Sequence, residues 1–250
     1  MRSSCHDYPR LIARWRALAR ASGLRLLAIA QVDGYPVYCL KTPALSTAPG
    51  LYLSAGIHGD EPASTEGLLA WAQNHQASLR GLPLLLFPCL NPWGLARNQR
   101  SDASGNDVNR MFQGDIHPTT AAVRREVRPH RFSAAMLLHE DYDALGIYLY
   151  EHSRTPPFGE LILQAAEALI PRDPRPKIDG RSARQGILRP RLSLKRFEEI
   201  GHPEAVWLHQ IGCRRGVTFE TPSEMALELR IQAQVAAIGR IVELQRKLAS

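Results

Sequence analysis

An imidazole and a carboxylate three residues apart can close on one small cation. His58 and Glu61, in Gly56-Ile57-His58-Gly59-Asp60-Glu61, have that spacing. Zinc takes such nitrogen and oxygen donors at about 2.0–2.2 Å, and Gly59 gives the backbone room to bring them together. The pair alone decides little, because with nine His and 14 Glu chance supplies about half a His-x-x-Glu per chain. A metal centre needs a third ligand and, for catalysis, an open position for water. His139 is the best candidate. It ends the apolar run Ala134–Leu138 and precedes Glu140, Asp141 and Asp143. His152, just after Glu151, is the nearest competitor; the other histidines fall in helices, loops or a basic stretch.

Two further segments carry chemistry. The polar block Asn91-Pro92-Trp93-Gly94, Arg100 and Asp107-Val108-Asn109-Arg110 reads as a binding loop, since planar guanidinium groups suit a carboxylate or a developing oxyanion. Glu220, in Gly216-Val217-Thr218-Phe219-Glu220-Thr221-Pro222, ends an apolar, β-branched run. A carboxylate there is awkward as plain structure but apt as a general base.

The elements that must position these groups alternate. The spacing predicts a first helix through Leu11, Trp15 and Leu18, a hairpin of Arg25–Gln31 and Tyr35–Leu40 turning at Asp33-Gly34, and a buried strand Leu51–Ala55. A helix over Glu61–His75 follows, with Pro62 in its first turn, and then a strand Leu84–Pro88. Residues 91–118 read as loop, Ala134–His139 and Ile147–Glu151 as strands, and Gly159–Ile170 as a helix. Ala205–Ile211 and Gly216–Glu220 read as late strands. Ser223–Leu248 reads as a long helix capped by Ser223, with Leu227, Ile231, Val235, Ile238, Val242 and Leu248 on one stripe. Buried strands alternating with helices mean an α/β sheet covered on both faces, and the candidate residues sit at strand ends, where ligands of such sheets gather. One domain over residues 1–250 is expected, with a catalytic core of about 50–225.

Composition excludes several classes. With 250 residues, 44% apolar and 22% charged, the chain is an ordinary globule, neither disordered nor a coiled coil. No apolar run approaches the roughly 20 residues of a membrane span. The net charge of +7 permits acidic partners, but no basic face with interleaved aromatics appears, so nucleic acid is not expected. Cys5, Cys39, Cys89 and Cys213 are dispersed and fit a reducing compartment. With no apolar leader, a cytoplasmic location is expected. Residues 171–196, with four prolines and nine basic residues, read as a solvated loop.

In their order along the chain these segments resemble the zinc carboxypeptidases of carboxypeptidase A type, above all the compact bacterial members and the related succinylglutamate desuccinylase/aspartoacylase group. The resemblance covers about residues 50–225. It implies a mixed, mostly parallel eight-stranded sheet with helices on both faces. It also implies one zinc ion held by His58, Glu61 and His139, with Arg100 on the scissile carbonyl. Asn109 and Arg110 would hold the substrate's free carboxylate, and Glu220 would take a proton from water and deliver it to the leaving amine. Three departures stand out. Leu137 replaces an aspartate common two residues before the third ligand, so a partner for His139 must come from elsewhere. Met111 follows Asn109-Arg110 where many members have asparagine. No tyrosine occurs after His152, so the mobile tyrosine of digestive carboxypeptidases has no counterpart. The implied activity is hydrolysis of an amide next to a free carboxylate, in a peptide or alternatively in an N-acyl amino acid. A zinc-containing binding module, with the basic segment Arg172–Arg196 on an acidic partner, is the non-enzymatic alternative.

Overall fold

The computed structural model describes residues 4–153, 156–191 and 194–249. Helices α1 (Tyr8–Ala21), α2 (Pro62–Asn74), α3 (Pro92–Arg97), α4 (Pro118–Val127), α5 (Gly159–Ala166), α6 (Leu194–Ile200), α7 (Glu204–Gln210) and α8 (Leu227–Ala249) alternate with ten strands. These are β1 (Leu26–Val32), β2 (Tyr35–Lys41), β3 (Gly50–Ser54), β4 (Leu84–Phe87), β5 (Phe132–Asp141), β6 (Tyr148–Ser153), β7 (Lys177–Ile178), β8 (Arg181–Ser182), β9 (Ile187–Leu188) and β10 (Arg215–Pro222). Eight of them form one sheet in the order β1-β2-β4-β3-β5-β10-β6-β9, while β7 and β8 pair as a separate hairpin.

The β1–β2 hairpin turns at Asp33 and Gly34, whose φ angles of 52° and 83° are the left-handed pair a tight two-residue hairpin requires. The centre of the sheet is parallel, β4-β3-β5-β10, flanked by the antiparallel β1, β2 and β6. Every residue of β3 and β4 is buried, as strands covered on both faces must be. Leu51, Leu53, Met136 and Phe219 pack with Trp15, Trp71, Leu163 and Ile241 on one face. Tyr52, Phe87 and Leu137 pack with Val123, Val127 and Trp207 on the other. The expected mixed, mostly parallel eight-stranded sheet with helices on both faces is the one observed. Among the described residues no helix is long and apolar enough to cross a membrane, and no disulfide joins the cysteines.

Four local expectations are corrected. Ala205–Ile211 is the helix α7, not a strand; Pro203 (φ −63°) sets its start and Glu204 opens its first turn. A short apolar run without periodicity fits either state, and chain context decides. Residues 91–118 are not all loop, since α3 and α4 begin there on Pro92 and Pro118. Ser223 does not cap the last helix. Its N–H goes to the Asp141 carbonyl, residues 223–226 form a turn, and α8 starts at Leu227. The buried face of α8 is centred on Gln234, Ala237, Ile238 and Ile241, with Leu227, Ile231 and Val235 at its half-buried margin; the Leu248 side chain lies outside the described residues. Residues 171–191 are more than a solvated loop, because Asp173, Ile178 and Leu188 are buried. The remainder of that predicted loop includes residues 192–193, which lie outside the described residues.

Candidate metal and catalytic site

The parallel strands end at one edge, and the candidate residues gather there. His58 and Glu61 follow β3, His139 lies on β5, and Glu220 on β10. Parallel pairing puts Glu220 directly beside His139, so the two side chains share one face of the sheet. Glu61 is the residue before α2, and its carboxylate makes no capping bond to that helix, which leaves it to face the imidazoles. His58 Nδ1 lies 2.6 Å from Glu61 Oε1 and His139 Nδ1 lies 2.9 Å from Glu61 Oε2. All three residues are buried, with at most 4% exposed. Among the described residues this is the group whose donor atoms can share an ion, all lying within 4.8 Å of one another. The competitor His152 is not part of it; it pairs with Gly216, four residues before Glu220.

These donors fit a divalent cation of the zinc type. Glu61 Oε2 is buried without a hydrogen bond of acceptable geometry, an expensive condition unless something positive sits there. Asp107 supplies the orienting partner for His58: its Oδ1 is 3.2 Å from His58 Nε2. A carboxylate only accepts, so with an ion at the centre Nε2 would carry the proton toward Asp107 and the Nδ1 lone pair would face the ion. Burial opposes ionisation of Asp107, but the bond to His58 and the charges of His58, Arg100 and Arg110 hold it well below the usual carboxylate range. Arg100 spans the same groups, 3.1 Å from Asp107 Oδ2 and 3.2 Å from His58 Nδ1. Burial pushes the Glu220 carboxyl upward; His139 opposes this, while Glu61, Asp141 and Asp179 add to it.

His58, Glu61, His139, Glu220, Arg100, Asn109 and Arg110 all line one cleft of about 440 Å³. The Asn109 carbonyl oxygen Oδ1 accepts the Glu204 N–H at 3.0 Å, which fixes the amide's orientation. Arg110 Nη1 donates to the Asn109 backbone carbonyl at 3.0 Å.

Several supporting residues carry no local sequence signal. Glu204 is fully buried, bonded to the Tyr52 hydroxyl and, at 3.1 Å, to Ser54 Oγ. Burial pushes its carboxyl up to about 7 despite those bonds. Leu137 brings no carboxylate to His139. The backbone is held instead: Gln234 Nε2, on α8, donates to the His139 carbonyl at 2.9 Å and lies 3.3 Å from Thr221 Oγ1. Glu140 accepts the Ala63 N–H at 2.6 Å and pairs with Arg230. Asp107, two residues before Asn109, and Glu140, next to His139, stand beside candidate residues in the sequence without a role assigned to them there.

The chain resembles known proteins in part of its sequence and in its fold. Residues 47–149 match the succinylglutamate desuccinylase/aspartoacylase catalytic domain. Murein peptide amidase A of Escherichia coli K12 is 39% identical over 79 residues, 32% of this chain. That match spans about a third (31%) of the relative's length. A crystal structure described as a metallopeptidase from Shewanella amazonensis superposes with a TM-score of 0.85 at 23% identity, covering 98% of this chain and 97% of that one. A metallo-carboxypeptidase from Burkholderia cenocepacia gives 0.72 at 15% identity, covering 96% and 69%. The fold is therefore that of these metallopeptidase and metallo-carboxypeptidase structures, and residues 47–149 resemble the succinylglutamate desuccinylase/aspartoacylase catalytic domain.

Proposed function

We propose that this protein is a zinc-dependent amide hydrolase of metallocarboxypeptidase type, cleaving a C–N bond beside a free carboxylate. The observation that carries this reading is the meeting of His58, Glu61 and His139 in a buried cluster, with Glu220 alongside in strand register. One zinc ion held by those three residues would supply Lewis acidity to water and to the scissile carbonyl. Glu220 takes the proton from the attacking water and delivers it to the leaving amine; its raised affinity for a proton suits both halves of that task. Arg100 donates to the developing oxyanion. Asn109, anchored on the Glu204 backbone, and Arg110 receive the carboxylate, which aligns the amide with Glu220.

A peptide with a free C-terminus is the first substrate class, and the name of the Escherichia coli relative makes a cell-wall-derived peptide the first member to test. The matched desuccinylase/aspartoacylase domain favours N-acyl amino acids as the second class. The test is metal analysis of wild type and His139→Ala, with turnover measured on C-terminal peptides and on N-succinyl and N-acetyl amino acids. Wild type is expected to hold one zinc per chain and cleave one panel, and His139→Ala to lose both properties. A zinc-loaded protein inert on both panels overturns the reading and favours a binding module.

A further inference from the structure

Strand register describes the floor of the cleft beyond the reacting centre. On β5, Leu137, His139 and Asp141 alternate onto one face; on β10, Thr218 and Glu220; on β6, Tyr148, Tyr150 and His152. Pairing arranges them in rows. His139, Glu220 and Tyr148 lie side by side, Leu137, Thr218 and Tyr150 form the next row, and Gly216 and His152 the one after. The floor therefore runs from Glu220 along β10 past Thr218 to Gly216, which projects no side chain over it.

The hairpin β7–β8 overhangs this stretch. Its turn, Asp179 and Gly180, takes left-handed φ angles of 51° and 69°. The Tyr150 hydroxyl donates to Asp179 Oδ2 at 2.5 Å, and Ile178 is buried with Tyr148 and Leu188. Asp179 and Arg181 both line the cleft. The charged groups there differ in how they are satisfied. Arg100 is paired with Asp107, and Arg110 lies 4.0 Å from the same carboxylate. Asp141 accepts from Tyr148 Oη at 2.9 Å and lies 4.0 Å from Arg175, and Asp179 accepts from Tyr150. The half-buried side chain of Arg181, whose backbone pairs with Ile178, has no hydrogen bond or ion pair among the described residues. An unpaired guanidinium in a cleft is an anion receptor, because its planar fork matches a carboxylate.

We infer that Arg181 is a specificity-determining residue that receives a second carboxylate of the substrate, on the side chain lying over Thr218 and Gly216. This deepens the proposed function and rests on it. Asp179, held by Tyr150, keeps the hairpin tip seated so that Arg181 faces the floor.

The test uses the zinc-loaded protein and acetyl-alanyl peptides ending in Glu, Gln, Lys or Leu. Wild type is expected to favour Glu over Gln by at least ~10-fold in kcat/KM. Arg181→Gln should lower kcat/KM for the Glu peptide by about 10- to 100-fold and leave the Gln and Leu peptides within about 3-fold, while Arg181→Lys restores part of the preference. Calorimetric binding of free L-glutamate against L-glutamine to both proteins reads the same subsite without turnover, and Arg181→Gln should erase the preference for glutamate. Equal losses on all peptides, a wild-type preference for Lys or Leu, or equal binding of the two amino acids overturns the assignment. Glutamate selectivity in binding with no turnover on any panel would instead retain the subsite and reject the hydrolase reading.

Discussion

Gly59 stands between two of the candidate metal ligands, and the reason is space. A Cβ there would lie 2.0 Å from the Gly94 carbonyl carbon, 2.2 Å from Leu95 N and 2.5 Å from the Gln99 carbonyl oxygen. All three are backbone atoms of α3 and the turn that follows it, so no side chain can swing away. Reaching ordinary contact near 3.5 Å requires the His58–Glu61 turn and α3 to part by about 1.5 Å. Overpacking costs typically 1–3 kcal/mol, and with rigid backbone on both sides Gly59→Ala belongs at the upper end, about 3 kcal/mol. The displaced Gln99 precedes Arg100, so the perturbation should reach the site as well as the fold. Urea denaturation of the metal-free protein measures the first effect and zinc stoichiometry the second. Gly81→Ala is the control, because nothing lies within 4 Å of a Cβ at that position, and its effect should stay within about 0.5 kcal/mol. If Gly59→Ala unfolds at the wild-type midpoint and still binds zinc, the close backbone approach is not what requires glycine there.

Asp107→Asn should weaken zinc binding by about 10- to 100-fold, measured by chelator competition, because the His58 orienting partner loses its charge; an unchanged affinity would remove Asp107 from the centre. Arg100→Ala should lower kcat by about 10²–10³ with zinc retained, and Glu220→Gln by more; near wild-type turnover in either variant contradicts its role. His152 is pushed down to about 4 by burial, with His209 and Arg181 adding, against about 6.5 unfolded. Its neutral form is thus the folded one, and stability should fall as pH drops from about 6.5 to about 4, by up to ~3 kcal/mol. His152→Phe should flatten that limb of a stability–pH curve, and an unaltered curve would assign the acid lability elsewhere.

Among the candidate residues, His58 and Glu61 stood out by local spacing, and His139 and Glu220 because each ends an apolar run. Leu51–Ala55, Ala134–His139 and Gly216–Glu220 read as buried strands, and each lies within or next to a strand of the structure. What holds the site was not legible. Glu204 precedes an apolar run that reads as a strand, and only the fold brings its carboxyl to Tyr52 and its N–H to Asn109. Gln234 was not among the residues of the predicted stripe; it is buried, donating to the His139 carbonyl. The 177–182 hairpin has two-residue strands, too short for any alternation to register. Long-range contacts decided the first two, whereas the hairpin pairs locally.

The Gln234 amide has a consequence for the order of assembly. His58, Glu61, His139 and Glu220 are all translated before α8 begins, yet the strand ends bearing the last two are joined by a side chain 95 residues beyond His139. A nascent chain exposed only as far as Pro222 has every candidate reacting group and the β5–β10 pairing but lacks the Gln234 bonds that span the two strand ends. Competence at this centre should therefore arrive late in synthesis, with the docking of the final helix, rather than when the last reactive residue emerges.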